Sequence, residues 1–186
     1  MTGSDPARPA IKVWDRFVRT AHWTLVASVF AAWLTRHGGG RWHEWLGYAA
    51  VAVVLARLTW GWLGPGYARF AQFVRAPAAT LRYAGQVLVH AEPRYLGHNP
   101  LGAYMIVALV ATVVLVTASG WLSITDAYWG VEWVAELHEG LSDFLLALIA
   151  LHVSGVAFSS LRHRENLVAA MLHGRKRAPA DGDIST

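Results

Sequence analysis

The feature that most constrains this chain is a long uncharged stretch: no Asp, Glu, Lys or Arg occurs between Arg94 and Asp126. Its apolar core, from Leu101 to Leu122, is long enough to cross about 30 Å of hydrocarbon as a helix that rises about 1.5 Å per residue. A lipid-embedded span must be helical, because each backbone polar group needs a partner within the chain. The stretch therefore predicts a transmembrane helix and an integral membrane protein.

Three further apolar stretches extend this pattern, and the four predicted spans cover residues about 17–35, 44–63, 101–122 and 138–161. Only 15% of the residues are charged, whereas a soluble domain has about a quarter. No cleavage site with a soluble domain behind it follows the first stretch, so we expect it to be retained. The prediction is an all-α protein, a single membrane domain over residues 1–186 folded as a four-helix bundle.

The Lys and Arg residues are distributed unevenly over the segments that flank the spans. Except for Arg36 and Arg41, they all lie before the first span, around or between the second and third, or after the fourth. The opposite side carries acidic residues: Glu44, Asp126, Glu132, Glu136, Glu139 and Asp143. Cytoplasmic loops are enriched in Lys and Arg, so both termini are expected in the cytoplasm. This arrangement accounts for the net charge of +4 without nucleic acid as a partner.

Two shorter segments are predicted to be amphipathic helices on the cytoplasmic surface. The first begins at Pro77, and its apolar face consists of Leu81, Ala84, Val87 and Leu88. The second covers about Glu165–His173 and ends before Gly174, a residue typical of helix C-termini. Residues about 176–186 are predicted to form a flexible tail.

Four of the nine histidines lie in or at the ends of the predicted spans: His22, His43, His138 and His152. Ionisable residues inside a membrane are costly, so each is a candidate functional residue. His138 and His152 are 14 residues apart, which corresponds to about 21 Å of helix rise and a return to within about 40° of the same face. Because successive spans run in opposite directions, His22 is expected at the depth of His152, and His43 at the depth of His138.

Two level pairs of neutral imidazoles can each bind a haem iron from both sides, with the irons about 20 Å apart. The chain has no cysteine, so a haem must be held without covalent attachment. Taken singly, each histidine is more often interfacial or bonded to the backbone, and a zinc site would need three or four ligands at one depth. The other histidines are expected to be exposed in loops or surface helices: His37, His90, His98, His163 and His173.

Two arginines are candidate partners for the propionates of the inner haem. Arg57 follows His43 by 14 residues, and its guanidinium matches the geometry of a carboxylate. An arginine that snorkels to the membrane edge is an equally good interpretation. Arg19, one turn before His22, is a similar candidate.

Two glycines lie close in sequence to candidate ligands. Gly47 follows His43 by one turn, and Gly155 follows His152 by three residues. A glycine lets a flat macrocycle approach the backbone, although helix packing through small residues explains both positions equally well or better.

Several motifs occur in a characteristic order along the chain: Val13-Trp14-Asp15-Arg16 through Arg19 to His22-Trp23, His43 through Gly47, Arg57-Leu58-Thr59-Trp60 through Gly64 to Tyr67-Ala68-Arg69-Phe70, Gly97-His98-Asn99-Pro100, and His138 with His152. From about Val13 to Gly174 the chain resembles the bacterial cytochrome b561 family, which includes the cytochrome b subunit of membrane-bound nickel–iron hydrogenases. No single motif is specific, but their order and spacing are.

The resemblance implies a multi-pass protein of the bacterial inner membrane with two haem b groups, whose ligands fall on the four histidines already chosen. It implies electron exchange between the quinone pool and a periplasmic redox protein such as a soluble cytochrome. Quinone, this redox protein and membrane lipid are thus the expected partners, and a homodimer is left open.

Three alternatives remain. In the first, the protein is a superoxide:quinone oxidoreductase that acts at the outer haem, near Arg36 and Arg41. In the second, it is the membrane anchor of a hydrogenase-like complex, although the loop from Ser123 to Leu137 is short for such a subunit. In the third, it is a structural membrane protein without haem.

Overall fold

The computed structural model describes residues 10–185. In chain order the elements are β1 (Ile11–Lys12), α1 (Arg16–Leu34), α2 (Arg41–Leu63), a 3₁₀ turn (Gly66–Ala68), α3 (Phe70–Phe73), α4 (Pro77–Leu88), α5 (Pro100–Ser123), α6 (Glu132–Arg162), α7 (Leu167–His173) and β2 (Arg175–Lys176). The four long helices agree with the four predicted spans, except that α6 begins about six residues early. Only residues 124–131 therefore connect α5 to α6.

The long helices pack as two hairpins, α1 with α2 and α5 with α6, which meet where α2 contacts α5. The buried residues between them are Ala50 and Val54 of α2, Val113 of α5 and Leu145 of α6. The helix ends at Arg16, Leu63, Pro100 and Arg162 lie on the same side as strands β1 and β2, and we call this side the inner end. We call the opposite side the outer end.

Three of the helices are long and apolar enough to cross a membrane: α2, α5 and α6, with mean hydropathies of 1.4, 2.4 and 2.0. Helix α1 is not among them, because Arg19 and His22 offset the apolar residues of its 19-residue length. The chain is thus a predominantly helical membrane protein.

Side-chain caps fix where three of the helices begin. The amide of Val18 donates to Asp15 at the start of α1 (2.8 Å), and the amide of Gly102 donates to Asn99 at the start of α5 (2.7 Å). Asn166 caps α7 in the same way. These side chains satisfy amides that have no partner within a helix. Gly174 ends α7 with φ +83°, a conformation that favours glycine.

The tail differs from the flexible segment predicted for residues 176–186. Strand β2 pairs antiparallel with β1, and the amide of Ile184 donates to the carbonyl of Arg94 (2.8 Å). The Arg94 side chain is only 5% exposed, contacts Glu165 at 2.6 Å and is also paired with Asp183. A buried guanidinium needs carboxylate partners, and Asp183 of the tail supplies one of them. Composition alone does not reveal this long-range pairing. Thr186 lies outside the described residues.

Candidate functional site

The structure brings the four candidate histidines together in the two predicted pairs. The ring centroids of His22 and His152 are 6.5 Å apart, and we call these residues the inner pair. The ring centroids of His43 and His138, the outer pair, are 6.0 Å apart. Each pair joins α6 to a different helix, α1 at the inner end and α2 at the outer end.

The spacing within each pair fits one metal ion bound between two imidazoles. With metal–nitrogen bonds of about 2.0 Å and a ring centroid about 1.1 Å behind each nitrogen, two opposed imidazoles have centroids about 6 Å apart. Within residues 10–185, no group of three or more His, Cys, Asp or Glu side chains is placed to hold a metal. Histidines that occur in twos suit an iron whose other ligands come from a macrocycle, whereas zinc takes three or four protein ligands.

Backbone carbonyls orient both imidazoles of the outer pair. Nδ1 of His43 lies 2.9 Å from the carbonyl oxygen of Ala32, and Nδ1 of His138 lies 3.0 Å from that of Val116. Each Nδ1–H donates to its carbonyl, which leaves Nε2 as the free acceptor. This is how ligating histidines are usually held, because the second hydrogen bond fixes the tautomer and the ring orientation.

Two residues of α5 shape the space around His138, and the sequence did not single them out. A Cβ added to Gly120 would lie 2.8 Å from Cε1 of His138, so only glycine fits there without a shift of the ring. The hydroxyl of Ser119 donates to the carbonyl of Val116 and lies 3.2 Å from Nδ1 of His138. The sequence does show Gly120 near the outer end of the most apolar span, but whether this glycine faces His138 depends on the rotation of α5, which the sequence does not give.

The surroundings of the inner pair are different. Within the described part of the chain, no ring nitrogen of His22 or His152 has a protein hydrogen-bond partner. A Cβ added to Gly155, three residues after His152, would meet no neighbouring atom within 4 Å, and the same is true of Gly47. Close contact with a neighbouring helix therefore does not explain either glycine.

Both predicted arginines lie at the inner end. The Arg57 guanidinium stacks over Phe70 at 5.2 Å from the ring centroid, and its Nη1 is buried without a hydrogen-bond partner. Arg19 donates to the carbonyl of Leu172 through one Nη atom, while its Nε is also buried and unpartnered.

His98 was predicted to be exposed, but the structure leaves it only partly exposed. Its ring packs against Trp14 (4.5 Å between centroids) and Phe73 (4.7 Å), and its Nδ1 is buried without a partner. Burial, together with the positive charges of Lys176 and Arg57, lowers the pKa of His98 to about 3. The remaining four histidines lie at or near the surface, as predicted: His37, His90, His163 and His173.

Lys176 is a further inner-end residue that the sequence did not identify. Only 6% of it is exposed, although its neighbours in the chain, Arg175 and Arg177, are exposed. Its Nζ lies 5.6 Å from the Trp14 ring centroid, and burial lowers its pKa to about 8. A lysine in a stretch of basic residues gives no sequence signal of burial, because only the pairing of β2 with β1 turns it inward.

Fold and site together define a helical membrane protein that carries two pairs of histidines, one towards each end of the bundle. The sequence model of the prokaryotic cytochrome b561 family matches residues 13–174, and the chain belongs to this family. It is therefore a membrane cytochrome of the b type, a class that binds haem b and transfers electrons. Comparison with curated proteins and with solved structures finds no significant match.

Proposed function

We propose that the protein is a di-haem cytochrome of the bacterial inner membrane that passes electrons between the quinone pool and a periplasmic redox partner. His22 and His152 hold the inner haem, and His43 and His138 hold the outer one. The proposal is carried by the level pairing of the four histidines, with centroids 6.5 and 6.0 Å apart. Haem b, when bound, supplies an iron that alternates between the ferrous and ferric states.

The proposal includes a topology of four membrane spans with both termini in the cytoplasm. Helix α1 acts as the fourth span, because its 19 residues measure about 29 Å and it packs along α2. Its less apolar residues, Arg19 and His22, lie near the inner boundary, where a long side chain reaches the interface. The basic residues at the inner end favour cytoplasmic termini.

The protein orients the imidazoles of the outer site in advance. The carbonyls of Ala32 and Val116 hold the outer imidazoles in one tautomer, so Nε2 of each is the nitrogen that would bind a haem iron. Buried Val54 and Val113 exclude water between the two levels. A rigid, dry interior reduces the rearrangement that accompanies a change of charge.

The outer end presents acidic side chains to a partner. Four exposed carboxylates lie there: Asp126, Glu132, Glu136 and Glu139. An acidic surface steers a basic redox protein, and salt screens that attraction. A charge-reversed variant that is reduced at an unchanged, salt-independent rate contradicts this role.

A test of the two-haem proposal is redox-titrated absorption of the purified protein. We expect a reduced α-band of the b type that titrates in two steps. His22→Ala should remove the inner step and His43→Ala the outer one, whereas His37→Ala, which changes an exposed histidine, should leave both. A wild-type protein without the α-band, or with one step only, contradicts the proposal.

A second candidate function is superoxide oxidation at the outer haem with delivery of electrons to quinone. The observation that favours it is an exposed cation, Arg41, two residues before His43, while the nearby Arg36 stacks on Trp33 at 4.6 Å. Superoxide-driven quinone reduction that is lost in Arg41→Gln but kept in Arg82→Gln supports this function. Absence of such turnover in the wild type contradicts it.

A further inference from the structure

Three buried nitrogen atoms on inner-end side chains have no hydrogen-bond partner: Arg19 Nε, Arg57 Nη1 and His98 Nδ1. Buried polar groups are nearly always paired, because an unpaired group loses its hydration without replacement. Three such atoms on basic side chains at one end of the bundle indicate a ligand that accepts hydrogen bonds.

The carboxylate whose charge acts on Arg57 is already engaged elsewhere. That carboxylate is Asp15, whose Oδ1 accepts from the amide of Val18 at 2.8 Å. Its Oδ2 accepts from Nε1 of Trp60 at 3.0 Å. Within residues 10–185, no carboxylate forms an ion pair with Arg57.

Like Arg57, and unlike Arg94, Lys176 has no carboxylate partner among the described residues. Arg94 is buried and has two carboxylate partners, Glu165 and Asp183. Glu165, whose charge acts on Lys176, is engaged by Arg94 and by the amide of Arg177 (2.8 Å). Lys176 itself reaches only two carbonyl oxygens, each at 3.5 Å, and forms no ion pair within the described residues.

Three of these groups, His98, Lys176 and Arg57, meet at one cluster of aromatic rings at the inner end. His98 and Lys176 both contact the ring of Trp14, at 4.5 Å between centroids and at 5.6 Å from Nζ to the centroid. Arg57 reaches the same cluster, because its guanidinium stacks over Phe70, the Phe70 ring packs against Phe73 at 5.6 Å, and Phe73 packs against His98 at 4.7 Å between centroids. The location therefore combines aromatic walls with positive charge and free hydrogen-bond donors.

We propose that His98 and Lys176, together with Arg57, form a clamp that binds a propionate carboxylate of the inner haem. The inference rests on the proposed function and adds two residues, one from the loop before α5 and one from the tail. A carboxylate offers acceptors for the imidazole N–H, the ammonium and the guanidinium at once, and hydrogen bonds between charged groups are the strong ones. The C-terminal strand thereby becomes part of the cofactor site.

The clamp can be tested on the complete haem-loaded protein with Lys176→Met, which keeps the length of the side chain but removes its charge. A cation beside the inner haem favours the reduced form. At a fixed ambient potential we therefore expect the ratio of reduced to oxidised inner haem to fall about fivefold to tenfold, with the outer haem unchanged. Lys176→Arg should restore the ratio. Arg175→Met, which removes the exposed neighbouring charge, is the matched control.

An infrared measurement separates a propionate contact from a merely structural role. The sample is the protein loaded with haem that is isotope-labelled at the propionate carbons. In redox-difference infrared spectra, the carboxylate bands of Lys176→Met and of His98→Ala should be shifted relative to those of the wild type. His37→Ala should leave them in place. Unshifted bands in both clamp variants overturn the inference. A wild-type protein without an inner haem overturns the proposed function itself, so the two failures are distinguishable.

Discussion

The inner and outer histidine pairs lie on the same helix, α6, yet the protein supports them in different ways. At the outer pair, carbonyls within α1 and α5 hold both imidazoles, and Gly120 makes room for one of them. At the inner end, Arg19 bonds to the Leu172 carbonyl of α7, and the Trp14 ring is contacted by His98 of the loop before α5 and by Lys176 of the tail. The outer pair is thus oriented by regular helices alone, whereas the inner end of the molecule is assembled from segments far apart in sequence.

The largest effect on this comparison is expected from the substitution Arg94→Met. Loss of the guanidinium leaves Glu165 and Asp183 buried without their cation, at a cost of about 3–5 kcal/mol in the free energy of unfolding. Because Arg94 joins the tail to the inner end, the inner haem should dissociate faster and the outer haem should not. Thermal unfolding and haem transfer to apomyoglobin measure the two effects, with Arg82→Met, an exposed arginine, as the control.

The same ion pairs predict an acid-sensitive tail. Burial alone would raise the pKa of Glu165 and of Asp183, but hydrogen bonds and charge from Arg94 outweigh it and lower both values. Carboxylates with a depressed pKa in the folded state stabilise it above their unfolded values of about 4, and this stability is lost as pH falls below them. Hydrogen exchange of residues 175–185 should accelerate there in the wild type, and much less in Arg94→Met. Equal acceleration in both proteins contradicts the role of Arg94.

An intermediate effect is expected from Gly120→Ala at the outer end. In a helix this change ordinarily stabilises by about 1 kcal/mol, but here the new methyl group would lie 2.8 Å from the His138 ring. Overpacking costs about 1–3 kcal/mol, and a displaced ring cannot bind iron, so the outer redox step should weaken or disappear while the inner step remains.

The control for this substitution is Gly140→Ala, because a Cβ at Gly140 would meet open space. It should leave both redox steps intact. An unaltered outer step in Gly120→Ala would mean that the His138 ring has room to move without loss of ligation.

The smallest effect should come from Ser119→Ala. The bond from His138 Nδ1 to the Val116 carbonyl survives, and only the neighbouring hydroxyl is lost, at a cost of about 1 kcal/mol or less. We expect full occupancy of both haems and a slight shift of the outer potential alone. Ser154→Ala removes an exposed hydroxyl that bonds to a carbonyl four residues earlier, and it should shift neither potential.

The sequence alone determined the helical architecture and the pairing of the four histidines. Apolar length predicted where the long helices lie, and helix rise together with alternating direction predicted which histidines share a level. These inferences depend on regular geometry within single helices, which local residues control. The start of α6 was predicted about six residues late, because Glu132, Glu136 and Glu139 made an exposed first stretch of helix read as loop.

Tertiary structure decided what surrounds the histidines. Gly120 contacts His138 because of the rotation of α5 against α6, and His98 is half-buried because Trp14 and Phe73 pack against its ring. Lys176 turns inward because β2 pairs with β1, more than 160 residues away along the chain. Each outcome depends on contacts between distant segments, and the local composition that predicted exposed loops and a flexible tail contains no record of such contacts.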